Sequence, residues 1–389
     1  MVSKVYFADI RAKKREETIP EKIKRLFDAA NMKEIISKND LVALKLHLGT
    51  KGNQRHLRPE HVRAIVEKVR EAGGQPFITE TTGMGLAGSR GTALGCLQTA
   101  AIHGFTEDVV GAPIIVADGP KGLWGVKIEV NGVKMKEIEL AQAIAEADAL
   151  ISIAHVKGHP RTGFAGALKN IGMGCVTKCG KAPLHMAKKP TINPEKCNNC
   201  GLCLTFCPVA AIQYINGKPQ VIQEKCVWGC GCWDICPMKA FPSWNELHHK
   251  TNTELQIRLI DATLAVINHI GSNKIGYFNL AYDITPHCDC AEYGDVPMVP
   301  DIGVFASKDP VAIDKASADA IINSPGIPRS AAEELNVMNP GDDKFTALTN
   351  WPPFETFLGA GGTRGWRIQL ETAAKLGLGS MEYELIKIT

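Results

Sequence analysis

The sequence predicts an α/β protein: a mostly parallel sheet with flanking helices, interrupted by a small cysteine-rich α+β insert. Three observations carry this expectation. Short apolar runs alternate with helical patterns through the first two-fifths of the chain, the order expected of a sheet covered on both faces. The alternation stops at a block of eight cysteines between Cys197 and Cys236, then resumes beyond it. Prolines mark the seams, Pro190 and Pro194 on one side and Pro242 before Ser243 on the other. The expected divisions are residues 1–189 as the first part of the α/β domain, 190–245 as the insert and 246–389 as the second part.

Taken in order, Val5–Asp9 reads as the first strand. Pro20 opens a helix reaching Ala30, because proline's missing N–H costs nothing in a first turn. Leu41–Leu48 is nearly continuous apolar, as a strand buried on both faces should be. Pro59 begins a helix with Val62, Ile65, Val66 and Val69 on one face, and Gly73 and Gly74 end it. Gln75–Glu80, Pro113–Ala117 and Ala149–Ala154 continue the strand series, and Asn131 with Gly132 suits the turn of a hairpin over Glu129–Lys134. Past the insert, Ala262–Ile267, Lys274–Asn279 and Asp301–Ala306 read as strands. Asp309 and Pro310 cap and open a helix running through Ile322.

With 389 residues the chain has room for two or three domains and a sizeable core. Its 45% hydrophobic and 22% charged residues are ordinary for a globular protein, and no apolar run is long enough to cross a bilayer. A net charge of +3 argues against nucleic acid or an anionic membrane as partner. Thirteen cysteines without a signal-peptide pattern at the start point to a reducing compartment, and a cytoplasmic location is expected.

The cysteine block opens at Cys197, Cys200, Cys203 and Cys207, followed by Pro208, a C-x2-C-x2-C-x3-C-P run. A second run holds Cys226, Cys230, Cys232 and Cys236, followed by Pro237, with its second cysteine one place late. Gly229 and Gly231 flank that cysteine and free the backbone to bend around it. Between the runs, two apolar stretches surround Asn216 and Gly217, a hairpin signal. Paired zinc sites would call for separated C-x2-C knuckles, and disulfides for an oxidising compartment. The segment resembles the two-cluster bacterial ferredoxins. That resemblance implies two [4Fe–4S] clusters with the last cysteine of each run crossing over: Cys197, Cys200, Cys203 and Cys236 for one, Cys226, Cys230, Cys232 and Cys207 for the other.

Strand Ala149–Ala154 runs into a segment rich in glycine, histidine and basic residues: His155, Lys157, His159, Arg161, Gly163, Gly166, Lys169 and, further on, His185. In an open α/β sheet ligands bind just past the strand ends, and glycines with cations suit an anion. Lys45 and His47, within the Leu41–Leu48 strand, join the expected binding set. Gly83, Gly85 and Gly88 form a literal G-x-G-x-x-G after a strand. Its strand comes late and no acidic residue stands at the right place, so a loop lining a small-molecule site is expected rather than a dinucleotide site. Cys288 and Cys290, beside His287 and acidic residues, suit metal binding or dithiol chemistry, with Cys175 and Cys179 as candidates to join them. A C-x-C disulfide is expected to be sterically awkward.

Lys45 and His47, the segment from Lys157 through Gly172, Cys288 with Cys290, and the run from Asp301 to Asp314 resemble the domain-of-unknown-function 362 (DUF362) family. Many members carry a ferredoxin segment, and the resemblance implies an iron–sulfur protein without a settled reaction. The spacing of His159, Lys169 and His185 is also similar to the lactate racemase N-terminal domain. That likeness implies proton transfer for His159, a cofactor anchor for Lys169 and a metal-binding role for His185.

The leading expectation is a ferredoxin-linked oxidoreductase or electron-transfer protein. Its clusters would serve a small anionic substrate in the α/β pocket, with His159, Lys169 and His155 as catalytic candidates and a soluble electron donor or acceptor protein as partner. A flavin or a further metal in the pocket, and a homodimer, stay open. The alternatives are a non-redox enzyme on a racemase-like scaffold with structural clusters, and a metal or cofactor maturation module.

Overall fold

One eight-stranded sheet takes strands from both sides of the cysteine block. A computed structural model of the chain describes residues 2–249, 251–349, 351–354 and 365–388. The strands are β1 (Ser3–Asp9), β2 (Leu41–Lys45), β3 (Gln75–Glu80), β4 (Ile114–Val116), β5 (Gly125–Glu129), β6 (Glu137–Ala141), β7 (Ala149–His155), β8 (Lys157–His159), β9 (Gly163–Ala165), β10 (Ile212–Ile215), β11 (Lys218–Val221), β12 (Ile275–Ala281), β13 (Gly303–Ser307) and β14 (Tyr383–Lys387). The sheet order is β14-β1-β13-β12-β7-β2-β3-β4. All neighbours are parallel except where β13 runs against β1 and β12. The remaining strands form three two-stranded ribbons, β5–β6, β8–β9 and β10–β11.

Each face of the sheet carries its own core, as period-two alternation requires. Val42, Leu44, Ile151 and Ile153 pack with helices Ile19–Ala29 and Pro59–Glu71. Ala43, Leu150 and Tyr277 face the other way, toward helices Ala167–Gly174, Asn252–Ile270 and Pro310–Ile322. The last of these is capped as its sequence indicates, Asp309 Oδ1 accepting from the N–H groups of Val311 and Ala312 at 2.8 Å each.

Ala262–Ile267 is not a strand. It is the middle of the 19-residue helix Asn252–Ile270, in which every residue from Leu259 to Ile267 is buried. A helix wrapped on all sides loses its 3.6-residue polar face, and its apolar run then reads like a covered strand. The signal for the helix lay upstream, where Thr251 caps it by accepting from Glu254 N–H at 3.3 Å.

The ends of the cysteine-rich segment lie side by side, Met186 bridging to His248 in antiparallel fashion. Ser243 and Glu246 form a capping box that starts helix Trp244–Leu247 as the chain leaves the segment. Within it, β10 and β11 pair through the Asn216–Gly217 turn, with both turn residues at positive φ.

Candidate functional site

Parallel strands end their backbones on one edge, and β2, β3 and β7 bring Lys45, Glu80 and His155 to that edge together. Lys45 and Glu80 are buried and form an ion pair at 3.0 Å. Asn170 braces the edge, accepting from Lys45 Nζ at 3.0 Å and donating to the Lys45 carbonyl and to Ser152 Oγ at 2.9 Å each. Asn170 sits on helix Ala167–Gly174, whose first N–H groups, of Ala167 and Leu168, donate to the buried Asp314 carboxylate at 2.7 and 3.0 Å. Only glycine fits at position 166, since a Cβ there would lie 2.3 Å from Asp314 Oδ1. The same helix presents Lys169. The next one, Lys178–His185, presents Lys181 and His185 one turn apart.

These elements enclose a cavity of about 360 Å³. Lys45, His47, Gly83, His155, Lys157, His159, Gly166, Lys169, His185 and Cys290 all line it. Gly85 and Gly163, expected in the same site, stand elsewhere. The Gly85 N–H donates to the Gly229 carbonyl at 2.8 Å, and Gly163 turns the β8–β9 ribbon against Trp366. Cys175 is buried in the core and Cys179 lies beside Glu139 and Cys230, so neither joins Cys288 and Cys290.

Sequence reasoning passed over Glu80, Arg90, Lys181, Asp289 and Trp244. Glu80 and Lys181 had signals, a strand end and an i,i+4 position before His185. Asp289, between the two cysteines, is fully buried and anchors this side of the site. Its Oδ1 lies 2.9 Å from His155 Nδ1, and its Oδ2 lies 2.9 Å from Lys157 Nζ. Burial raises a carboxyl, yet the charges of His155 and Lys157 hold this one far below its usual range. His155 Nε2 lies 2.8 Å from the Tyr282 carbonyl, so both its ring nitrogens are engaged. It positions Asp289 and has no nitrogen left for chemistry.

His159 is arranged differently. Its Nδ1 accepts from the N–H groups of Arg161 and Thr162 at 3.1 Å each. A neutral ring that accepts at Nδ1 carries its proton on Nε2, the one nitrogen left for the cavity. Burial, with the Lys169 charge next, pushes its pKa well below the ordinary value. His185 is lowered in the same direction by burial and by Arg161. Lys169 Nζ lies 3.5 Å from Cys288 Sγ. The Cys290 hydrogen bond and the Lys169 ammonium hold the Cys288 thiol well below its usual value, and the Cys290 thiol is correspondingly raised. Lys45, Arg90, Lys157, Lys169 and Lys181 set against Glu80 and Asp289 make the enclosure cationic.

In the insert the eight cysteines gather as two sets of four. Cys197, Cys200, Cys203 and Cys236 line one small cavity, and Cys207, Cys226, Cys230 and Cys232 line another. Asn199, Ala210, Trp228 and Lys239 take positive φ in the surrounding loops. Backbone N–H groups of Ala211, Trp228 and Ala240 point at Cys207, Cys226 and Cys236 sulfurs at 3.3, 3.4 and 3.4 Å. All-thiolate sets of four with amide donors aimed at sulfur fit iron–sulfur clusters.

The second set lies against the strand-edge cavity. Trp233 lines the second set's cavity and meets Trp244 at 5.4 Å between ring centroids. Trp244 in turn is a wall of the strand-edge cavity, 6.0 Å from the His185 ring. A second cavity of about 380 Å³ adjoins it, sharing His159, His185, Trp244 and Cys290.

Three kinds of relative accompany this geometry. A ferredoxin of Pyrobaculum islandicum is 35% identical over 66 residues, 17% of this chain and 62% of the ferredoxin. A thylakoid-associated protein of Synechocystis is 27% identical over 158 residues, 40% of this chain and 45% of that protein. The chain thus spans less than two thirds of either curated relative. The lactate racemase apoprotein of Thermoanaerobacterium thermosaccharolyticum aligns with a TM-score of 0.35 at 14% identity, covering 72% of this chain and 51% of the racemase. Among the described residues no helix is long and apolar enough to cross a membrane. The family model described as domain of unknown function (DUF362) matches residues 42–319, and the chain is a member of that family with a ferredoxin-like, cysteine-rich segment set into its α/β fold.

Proposed function

We propose that the chain is an iron–sulfur reductase whose insert carries two [4Fe–4S] clusters and whose strand-edge cavity holds a small anionic acceptor. The observation that carries this reading is the contact between the two: Trp233 at the second four-cysteine set packs at a tilt against Trp244, which walls the cavity. When bound, the clusters supply low-potential one-electron transfer. Lys157, Lys169 and Lys181 attract and orient the anion. His159 donates a hydrogen bond from Nε2 to the acceptor and steadies the incoming charge. Asp289 and His155 fix Lys157 and the cysteine turn. Trp244 and Met84, packed with Trp228 and Trp233, keep water from the junction. A soluble low-potential donor docks on the far side of the insert, where Cys200 is exposed, in a reducing cytoplasm.

The test is anaerobic: protein reduced through its clusters is mixed with a panel of small anionic oxidants, 2-oxo acids, unsaturated carboxylates and disulfides, while cluster absorbance is followed. An acceptor that reoxidises the wild type but not a Lys169→Ala variant of equal iron content supports the reading. Equal reoxidation of both by every oxidant rejects it. A non-redox reading keeps one observation, the gathering of His159, Lys169 and His185 around one cavity. Turnover independent of the clusters' redox state would favour it.

A further inference from the structure

Cys290 lines both adjoining cavities, and Cys288 lines the second of them. With His159 they form a group whose ligating atoms all lie within 4.8 Å of one another. Two chemistries suit such a group, a soft metal ion or a redox dithiol, and four observations decide between them. The His159 Nδ1 lone pair is occupied by two backbone N–H groups, so Nε2 carries a proton and cannot ligate without losing it. That leaves two thiolates, short of the three or four ligands a zinc-like ion takes. Lys169 points its ammonium at Cys288 Sγ, and Lys45, Arg90, Lys157 and Lys181 line the same cavity, a field that repels a cation and favours a thiolate. Finally, the expected awkwardness of a C-x-C disulfide is absent. Residues 288–291 form a turn closed by Ala291 N–H donating to the Cys288 carbonyl at 2.9 Å, and Asp289 at its corner is pinned by His155 and Lys157. A turn brings residues i and i+2 to about 5.5 Å between Cα atoms, inside the disulfide range.

We infer that Cys288 and Cys290 are a redox-active dithiol that closes to a disulfide and carries two electrons from the insert to a bound small disulfide bearing carboxylates. The inference rests on the reductase reading. Reduction breaks the Cys288–Cys290 S–S bond with two electrons, delivered singly through the insert, and one proton taken from water entering the cavity. Cys288 leaves as the thiolate beside Lys169 and Cys290 as the thiol. In discharge, Cys290 attacks the bound disulfide and its proton goes to the first departing thiolate. Cys288 then attacks Cys290 sulfur, the second thiolate leaves and takes a proton from water, and the protein disulfide is restored. The sum is one disulfide, two electrons and two protons giving two thiols. Cys290 is the exposed residue of the pair and lines both adjoining cavities, as the attacking group must. Cys288 is buried behind it, as a resolving group can be.

The probe is oxidised glutathione, an anionic disulfide, added to anaerobic holoprotein, with the peptide containing residues 288 and 290 mapped by mass spectrometry. The wild type should show an internal Cys288–Cys290 disulfide, and Cys288→Ser a trapped glutathione adduct at Cys290. A low-potential one-electron donor should then reopen the internal disulfide in the wild type, and at under a tenth of that rate in Cys232→Ser. If the disulfide forms but only dithiothreitol reopens it in the wild type, the dithiol stands and the reductase reading fails. If no disulfide or adduct forms, the inference is overturned. One equivalent of zinc, bound by the wild type and lost in Cys288→Ser, would then identify a metal chelate in its place.

Discussion

Asp289 offers a perturbation whose size follows from the structure. Its carboxylate is fully buried, pairs with Lys157 Nζ at 2.9 Å, and faces a Lys157 side chain that is itself 5% exposed. Asp289→Asn keeps the shape and the contact with His155 but removes the charge, leaving Lys157 only the His155 carbonyl at 3.0 Å. Breaking one partner out of a buried pair costs about 3–5 kcal/mol, because the remaining ion stays desolvated and uncompensated. Lys157 touches the cavity, where water can enter, so the lower end applies: about 3 kcal/mol, a loss of roughly a hundred-fold in the folded-to-unfolded ratio. Anaerobic urea unfolding followed by tryptophan fluorescence measures it, Trp366 reporting from the α/β core. Adding Lys157→Met should recover at least about 2 kcal/mol, since the stranded charge is then gone. A cost below about 1 kcal/mol for Asp289→Asn, or no recovery in the double variant, would refute the electrostatic account of this anchor.

Other consequences can be checked more briefly. Cys207→Ser should cost the cluster shared with Cys226, Cys230 and Cys232 and spare that of the first run, read as loss of one of two paramagnetic signals. Trp244→Ala should slow electron delivery to the cavity at unchanged iron content, because it removes the ring joining Trp233 to the cavity wall. His159→Ala should abolish acceptor reduction while both clusters still assemble and accept electrons from dithionite. Stability should fall with acid through His61, whose pKa burial lowers from 6.5 to about 4. The unfolded chain binds that proton first, so the contribution is present above pH 6.5 and lost as pH falls toward 4, about 3 kcal/mol in all. His61→Phe should flatten the stability profile across that window.

What could be read from the sequence was chemistry carried by local spacing. The two cysteine runs, the Asn216–Gly217 hairpin, the Asp309 cap and the strand running into His155 all declare themselves within a few residues. The helix Asn252–Ile270 did not, because burial on every side erased its polar face. The pairings that make the site could not be read either: Lys157 and Asp289 are 132 positions apart and Lys45 and Asn170 are 125 apart. Those distances close only when β2, β7 and β12 lie side by side in the sheet. Trp244 had no local signal at all, since its meaning depends on where the insert docks. The positions of Gly85 and Gly163 show the converse: glycine spacing marks tight backbone and does not say whether a ligand or another loop approaches it.

The central claim is that the insert is an iron–sulfur centre serving the cavity beneath it. It is tested most directly by iron, sulfide and zinc analysis of protein purified and kept without oxygen. Two cubane clusters on the two four-cysteine sets predict about eight iron and eight sulfide per chain. Zinc at the cysteines with iron and sulfide near zero, in protein never exposed to oxygen, would contradict the account at its base.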